Sequence, residues 1–399
     1  MPGRSDETET SADSSTATGG SFTARLLPSI GTVTAQAWDA LIPGHNSGGS
    51  HPFLTHRFLH ALEASGSASV ETGWAPRHIW LEDNAGNAIG AAPLYAKSHS
   101  QGEYVFDHGW ADALERAGIP YYPKLQCSVP FTPASGPRLL SSTVEGKRAL
   151  LSTMAQACAQ LDCSGAHLTF LTDADRAVTQ EAGFLQRTDR QFHFINRDYA
   201  DFEAFLASLT SRKRKNIRKE RAAAQDGVTI RRLTGDDLKP EHWDIFYQCY
   251  LDTGHRKWGR PYLNREFFAR IHETMADDIV LVMAWVDGDP VATALNFIGS
   301  DALYGRNWGA LIDKPFLHFE LCYYQAIEAG LELGLPRVEA GAQGEHKLAR
   351  GYEPVATHSA HYLAHPGLAD AVGDYLERER NAVDWDIKVL EGHTPFRKT

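Results

Sequence analysis

Apolar and polar positions alternate along this chain in two rhythms, and the same succession of rhythms occurs twice. "PFLTHRFLHALEAS" has apolar residues at helical spacing behind Thr55 as a cap. "RHIWLED" then alternates with the period of a half-buried strand, "NAGN" turns the chain, and "AIGAAPLYAKS" returns, which predicts a hairpin. "IVLVMAWVDGDPVATALNFIGS" repeats that plan, so that Gly86 aligns with Gly288, Ile89 with Val291 and Tyr95 with Phe297. Downstream, "RALLSTMAQACAQLDCSGAHLTFLTD" predicts a helix feeding a strand and ends in "EAGF". "FELCYYQAIEAGLELGLPRVEAG" predicts the same and ends in "RGY". Two matches in the same order predict a duplicated unit of mixed α/β (α+β) structure with a boundary near Arg197–Asp201. The chain therefore divides into residues 1–21, a first domain over 22–197, a second over 198–365, and a C-terminal helical extension over 366–399.

A length of 399 residues fits two domains, and a hydrophobic content of 43% is ample for their cores. The net charge of −11 excludes general attraction to nucleic acid, though not a local basic patch. Cys127, Cys158, Cys163, Cys249 and Cys322 form no CxxC pair and are odd in number, which reads as reduced, buried thiols in a cytoplasmic protein. No apolar run is long enough to span a membrane. "MPGRSDETETSADSSTATGGS" is polar and has no apolar signal core, so a disordered tail is expected there.

Charge gathers at three places. Seven of the eleven residues from Ser211 to Arg221 are basic, in a helix expected over 211–224. Arg214, Arg218 and Arg221 share one side of it, with Lys215 and Lys219 beside them. This is either a solvated helix face or a docking surface for a phosphate-rich substrate. "DTGHRKWGRPYL" sets His255, Arg256, Lys257, Trp258 and Arg260 in a loop-like stretch, either plain surface or a flap over a phosphate. "RVEAGAQGEHKLARGYEP" runs a predicted core strand into small residues and then into Glu345, His346, Lys347 and Arg350. In addition, "DALYGRNWGA" places Tyr304, Arg306 and Trp308 at alternating positions on one strand face, where an idle buried arginine would be costly. "YYPKLQCSVPFTPASGPR" offers Tyr121, Tyr122, Lys124 and Arg138 either to a substrate groove or to a self-packed loop. His318 with Glu320, and His358 with His361, have no HExxH or Cys pair beside them, so no metal site is expected.

The residues resemble a family. "RKRKNIRKERAAAQDGV" is similar to the Arg-Asn-Ile-Arg helix that opens the second domain of Fem-type peptidyltransferases. "KPFLHFELCYYQAIEAGLELGLPRVEAG" is similar to their helix into the last core strand, and "GEHKLARGYEP" to their closing segment. The closest resemblance is to FemAB-like predicted N-acyltransferases, over nearly the whole chain after the tail. The resemblance implies two tandem GNAT-like acyltransferase domains forming a cleft, and transfer of an acyl or aminoacyl group onto an amine. The co-substrate would be an aminoacyl-tRNA or an acyl-CoA, with no tightly bound cofactor. The acceptor would be an amine-bearing small molecule or a cell-wall (peptidoglycan) precursor. Two departures stand out. The glycine-rich pyrophosphate loop of ordinary acetyltransferases is replaced by "LIDKPFLHFELCYYQ", which disfavours acyl-CoA. The long coiled-coil hairpin of Fem transferases is missing, which bears on tRNA docking. A GNAT enzyme with a non-standard cradle and a non-catalytic binding module remain as alternatives.

For such a transfer an amine must lose a proton, be positioned, and have the developing oxyanion stabilised. His346 can accept or relay a proton. Glu339 or Glu345 can hold the ammonium or orient His346, while Lys347 and Arg350 can hold anionic charge. The catalytic set expected is thus His346, Glu339 and Lys347. Substrate contacts are expected from Arg350, Glu345, Gln343, Arg306, Trp308, Arg256, Lys257, Tyr122, Lys124, Arg214 and Arg218. The matching segment of the first half, "TDADRAVTQEAGF", has no His and no Lys, which places the chemistry in the second half.

Overall fold

The structure is a computed structural model that describes residues 22–47, 49, 51–257, 261–342 and 344–397. The expected N-terminal tail, Trp258, Arg260 and Gln343 lie outside the described residues. The first half supplies β1 (Phe22–Leu27), β2 (Trp74–Pro76), β3 (His78–Asp83), β4 (Ala88–Ala92), β5 (Leu94–Lys97), β6 (Lys124–Cys127), β7 (Gly165–Leu171) and β8 (Leu185–Ile195). The second supplies β9 (Thr229–Leu233), β10 (Ile279–Val286), β11 (Asp289–Ile298), β12 (Leu303–Ala310), β13 (Arg337–Glu339) and β14 (Glu353–Leu363).

Local chemistry explains the best-defined pieces. Asp287 and Gly288 both take positive φ, at 52° and 92°, and they are the two residues between β10 and β11. That is the geometry a tight hairpin needs, and Asp-Gly is the pair that adopts it at least cost. In "IVLVMAWV" the first six residues are buried. Leu281 and Met283 enter a cluster with Trp243, Phe246 and Phe268, while Val280, Val282 and Ala284 enter another with Leu321, Tyr324 and Ile327. A strand covered on both faces has no polar side, which is why its sequence runs apolar rather than alternating.

The two halves repeat one succession. In each, antiparallel strands lead to a parallel pair, β6 with β7 and β12 with β13. A helix joins each pair: Val144–Gln160 in the first half. In the second half it runs Leu317–Phe319, turns π-helical over Glu320–Tyr324 and continues over Gln325–Glu332. The first hairpin differs in one respect: its return strand is cut between Ala92 and Leu94. β4 stays with β1 and β3 in a three-stranded sheet, whereas β5 joins the large one.

The large sheet has the order β2-β5-β6-β7-β14-β8-β13-β12-β11-β10-β9. At its centre the halves exchange their last strands. β14, from the second half, lies antiparallel against β7 of the first, and β8, from the first half, lies antiparallel against β13 of the second. β8 and β14 also pair with each other, from His193–Glu353 to Leu185–His361. A cut between residues 197 and 198 therefore divides the chain but not the sheet. The C-terminal helix Pro366–Glu391 packs across β8 and β14. It is fastened by Arg187 to Glu379 through two hydrogen bonds of 2.8 Å and by Arg190 to Asp386 at 2.5 Å.

Candidate functional site at the strand exchange

β12 and β13 are paired only through Leu303–Val338 and Tyr304–Glu339. Beyond Glu339 the strands part and the sheet opens. Gly341 (φ 78°) and Gly344 (φ 119°) then turn the chain into the short helix Glu345–Arg350. A side chain at Gly344 would be strained by that φ and would meet the His346 ring at 2.5 Å, so the turn demands glycine.

Glu339 is 3% exposed. Its Oε1 accepts from Arg337 Nε at 3.0 Å, and its Oε2 lies 3.8 Å from His193 Nε2 with no hydrogen-bond partner. Burial pushes this carboxyl up to about 7, against the pull of Arg337. His193, paired opposite Glu339 on β8, is held neutral by burial, its pKa lowered to about 3. Its Nε2 donates to Gln191 Oε1 at 3.2 Å. A carboxyl poised near neutrality beside a neutral imidazole can take a proton from an amine.

His346 is not Glu339's partner. Side chains alternate along β13, so Val338 enters the apolar cluster under the π-helical turn while Glu339 points to the other face. The Gly341–Gly344 turn brings His346 to Val338's side, where Nε2 and the Tyr323 hydroxyl share a 2.8 Å hydrogen bond. Lys347, expected to hold anionic charge, is 1% exposed. Its Nζ donates to the Gly341 carbonyl at 2.7 Å, and burial lowers its pKa to about 8. Arg350 is engaged as well: it donates to His346 O at 2.7 Å and Glu220 at 3.0 Å, and lies 3.4 Å over the Phe319 ring. Arg350's charge is thus answered by Glu220, while Lys347 meets a neutral acceptor. Glu345 is exposed and pairs with Arg190 at 3.2 Å.

A bulge separates Arg306 from Trp308. Asn296 pairs with Gly305 but Ala294 pairs with Trp308, so Leu295 faces two residues, Arg306 and Asn307. The extra residue reverses the alternation. Tyr304 packs with Phe53 on one face, and Trp308 packs against His318 on the other, with ring centroids 5.1 Å apart. The expected single face for Tyr304, Arg306 and Trp308 is therefore corrected. A cavity of about 80 Å³ lies at the bulge, lined by Arg306, Trp308, Asn296, His318, Tyr323 and Ala340 among others. A second, of about 320 Å³, lies along the exchanged strands, lined by Tyr104, Phe170, Arg190, Gln191, Gly344 and Glu345 among others.

Several expected contacts lie elsewhere. Lys124 is buried between Glu103, at 2.7 Å, and Asp107, so it is core and not groove. Tyr122 is half-buried and its hydroxyl meets Ser100 Oγ at 2.8 Å. Arg138 is fully buried and donates to the carbonyls of Thr169 and Ala134. On the basic helix, now Ser211–Gln225, Arg221 is tied to Glu320 and Glu328 at 2.9 and 2.7 Å and Arg218 pairs with Glu203, while Arg214 has no ion pair among the described residues. The stretch read as a loop around Arg256 and Lys257 is the end of the helix Pro240–Lys257, and the side chains of both lie outside the described residues. Sequence reasoning missed His193, Gln191 and Tyr104. The alternation in "RQFHFI" marks the first two as one strand face, but nothing local says which strand that face meets.

The turn before the helix that follows β12, residues 311–316, contains no glycine, and Phe316 caps that helix with φ 65°. Among the described residues no group of three His, Cys, Asp or Glu could hold a metal ion, and no helix is long and apolar enough to cross a membrane.

The FemAB-like family, described as peptidoglycan biosynthesis and recognition, matches residues 29–398. The chain belongs to that family. The solved structure of FemX is similar in fold, with a TM-score of 0.53 and 14% identity, over 86% of this chain and 98% of FemX. A weaker likeness joins this FemAB-like chain to L-PGS from Bacillus licheniformis, with a TM-score of 0.47 and 11% identity, over 79% of this chain and 95% of that one. A tandem GNAT protein from the clavulanic acid biosynthesis pathway matches with a TM-score of 0.44 and 14% identity, over 86% and 98%. No curated protein matches the FemAB-like chain in sequence. The expected mixed α/β fold agrees with the large sheet and with the likeness to FemX.

Proposed function

We propose that this protein is an N-acyltransferase that moves an acyl or aminoacyl group onto an amine at the opening beside Glu339. The observation that carries the reading is the Glu339 carboxyl, buried where β12 and β13 part, with one oxygen unpartnered and a pKa raised to about 7. In the proposed reaction the amine nitrogen attacks the acyl carbon while Glu339 receives the amine's proton; the acyl–oxygen bond of an aminoacyl ester, or the acyl–sulfur bond of a thioester, then breaks, and the departing hydroxyl or thiol takes up that proton. Arg337 keeps the carboxyl in place through Oε1, which leaves Oε2, beside the neutral His193, open to the amine. His346 with Tyr323, and Lys347 through Gly341, shape the turn that forms the rim.

The glycine-free turn at 311–316 offers no backbone cradle for a pyrophosphate, which favours an aminoacyl-tRNA over acyl-CoA as donor. Lys213, Arg214, Lys215 and Lys219 on the basic helix supply charge for such a polyanion. The domain reading (units over 22–197 and 198–365, with 366–399 as an extension), a cytoplasmic location and a cell-wall precursor as acceptor belong to the same proposal. Family membership and the FemX-like fold support it.

The test is a transfer screen. Purified protein is incubated with aminoacyl-tRNAs or acyl-CoAs and with amine acceptors that include nucleotide-linked peptidoglycan precursors, and products are read by mass spectrometry. Wild type is expected to yield an acylated amine, and Glu339→Gln about 10²–10⁴-fold less. Equal activity in Glu339→Gln, with any donor, would move the site elsewhere.

A further inference from the structure

A guanidinium taken out of water is costly unless a counter-charge answers it. Around the opening, Arg337 has Glu339 and Asp301, Arg350 has Glu220, and Arg190 has Asp386 and Glu345. Arg306 has no carboxylate within ion-pair distance among the described residues. Its Nη2 donates to a neutral acceptor, the Phe131 carbonyl, and the guanidinium stands 5.8 Å from the Phe53 ring. Tyr104 and Glu339 are neighbours that act on it electrostatically, neither as an ion-pair partner.

The first half builds the surroundings of this arginine from strained backbone. Tyr104 and Phe131 both have φ 59°. Left-handed backbone is uncommon for an aromatic residue and persists only where neighbours enforce it. At Tyr104 the enforcement is visible. Glu103 and Asp107, on either side of it, are both buried and both grip Lys124, and Lys97 Nζ stands 3.9 Å from Glu103. Such buried ion pairs contribute little net stability, so their effect here is to hold the loop in one position. Arg306 lines the smaller cavity and Tyr104, its neighbour, lines the larger.

We infer that Arg306 and Tyr104 form a seat for a carboxylate on the acceptor, which makes the acceptor an amino acid or peptide whose free carboxylate lies close to its reacting amine. The inference rests on the transferase reading and names its acceptor class. Glu339 pairs with Tyr304, two residues before Arg306 on β12, so the two Cα atoms lie roughly 7–8 Å apart. Groups on that spacing reach the ammonium and the carboxylate of one small zwitterion. Tyr104 adds a hydroxyl donor, and the bond that the guanidinium donates to the Phe131 carbonyl orients it.

Calorimetry on the full chain tests the seat without any turnover, so its failure is separable from failure of the transfer reading. The probes are free amino acids and dipeptides, the methyl ester of each, and inorganic phosphate. At least one free acid is expected to bind saturably, with its ester about tenfold weaker or worse. Arg306→Lys keeps the charge but loses the fork, and is expected to weaken the acid about tenfold while leaving the ester unchanged. Tyr104→Phe is expected to weaken the acid about three- to tenfold at unchanged circular dichroism. The inference is overturned if no acid binds, if acids and esters bind alike, if phosphate binds as tightly as the acids, or if both variants match wild type.

Discussion

Burial holds the Glu339 carboxyl protonated up to about pH 7, and that has consequences for rate and for stability with opposite signs. Only the ionised form accepts a proton, so transfer by wild type should rise through pH 6–8 and level off above, a rise that Glu339→Gln should lack. Stability runs the other way. The folded chain keeps a proton that the unfolded chain has released above about 4.5, so wild type loses stability as pH rises from about 4.5 to about 7. Glu339→Gln removes that loss. Its stability relative to wild type should improve by about 2–3 kcal/mol between pH 4.5 and 7.5 in urea titrations, and a pH-independent difference would contradict the raised pKa. Glu339 was legible in the sequence because an acid ending an apolar strand is conspicuous. Its supposed partnership with His346 was not, since closeness in sequence across Gly341–Gly344 is undone by strand alternation and a left-handed turn.

At the scale of elements, the hairpins, the two helix-to-strand units and the basic helix were readable from periodicity and turn residues. The bulge opposite Leu295 was not. It adds nothing to composition and shows only in how two strands register, yet it sends Trp308 to the face opposite Arg306. The basic helix was visible as a run of charge, but the division of labour within it needed tertiary contacts. Arg221 is half-buried over the Phe202 ring at 4.4 Å and holds Glu320, so its replacement by Gln should lower stability by about 3–5 kcal/mol through the unpaired Glu320. Replacing Lys213, Arg214 and Lys215 together should instead leave the melting curve within about 1 kcal/mol of wild type. If the helix docks tRNA, that triple variant should bind it more weakly, with a log K against log salt slope shallower by about 0.7–0.9 per lost phosphate contact. A slope equal to that of wild type would return the helix to a solvated face.

At the scale of the whole molecule, duplication was readable but the exchange of last strands was not. "QRTDRQFHFI" and "EPVATHSAHYL" carry no mark of which parallel pair each will complete, since either edge offers the same backbone donors and acceptors. The exchange predicts that residues 22–197 and 198–397, produced separately, will each lack a central strand and fail to give dispersed amide spectra, whereas co-expression should recover a stable pair by size exclusion. Two independently folded halves would show that the pairing is dispensable. The same exchange sets a timetable for synthesis. β7 is complete at Leu171 but its partner β14 is not finished until Leu363, and at typical translation rates that interval lasts roughly 10–40 s. Through it the edge of β7 stays open on the ribosome, next to a β8 that also waits for its neighbours. The nascent chain is thus a long-lived client for holding chaperones, and slowing translation within the second half should raise its aggregation even though no native contact has changed.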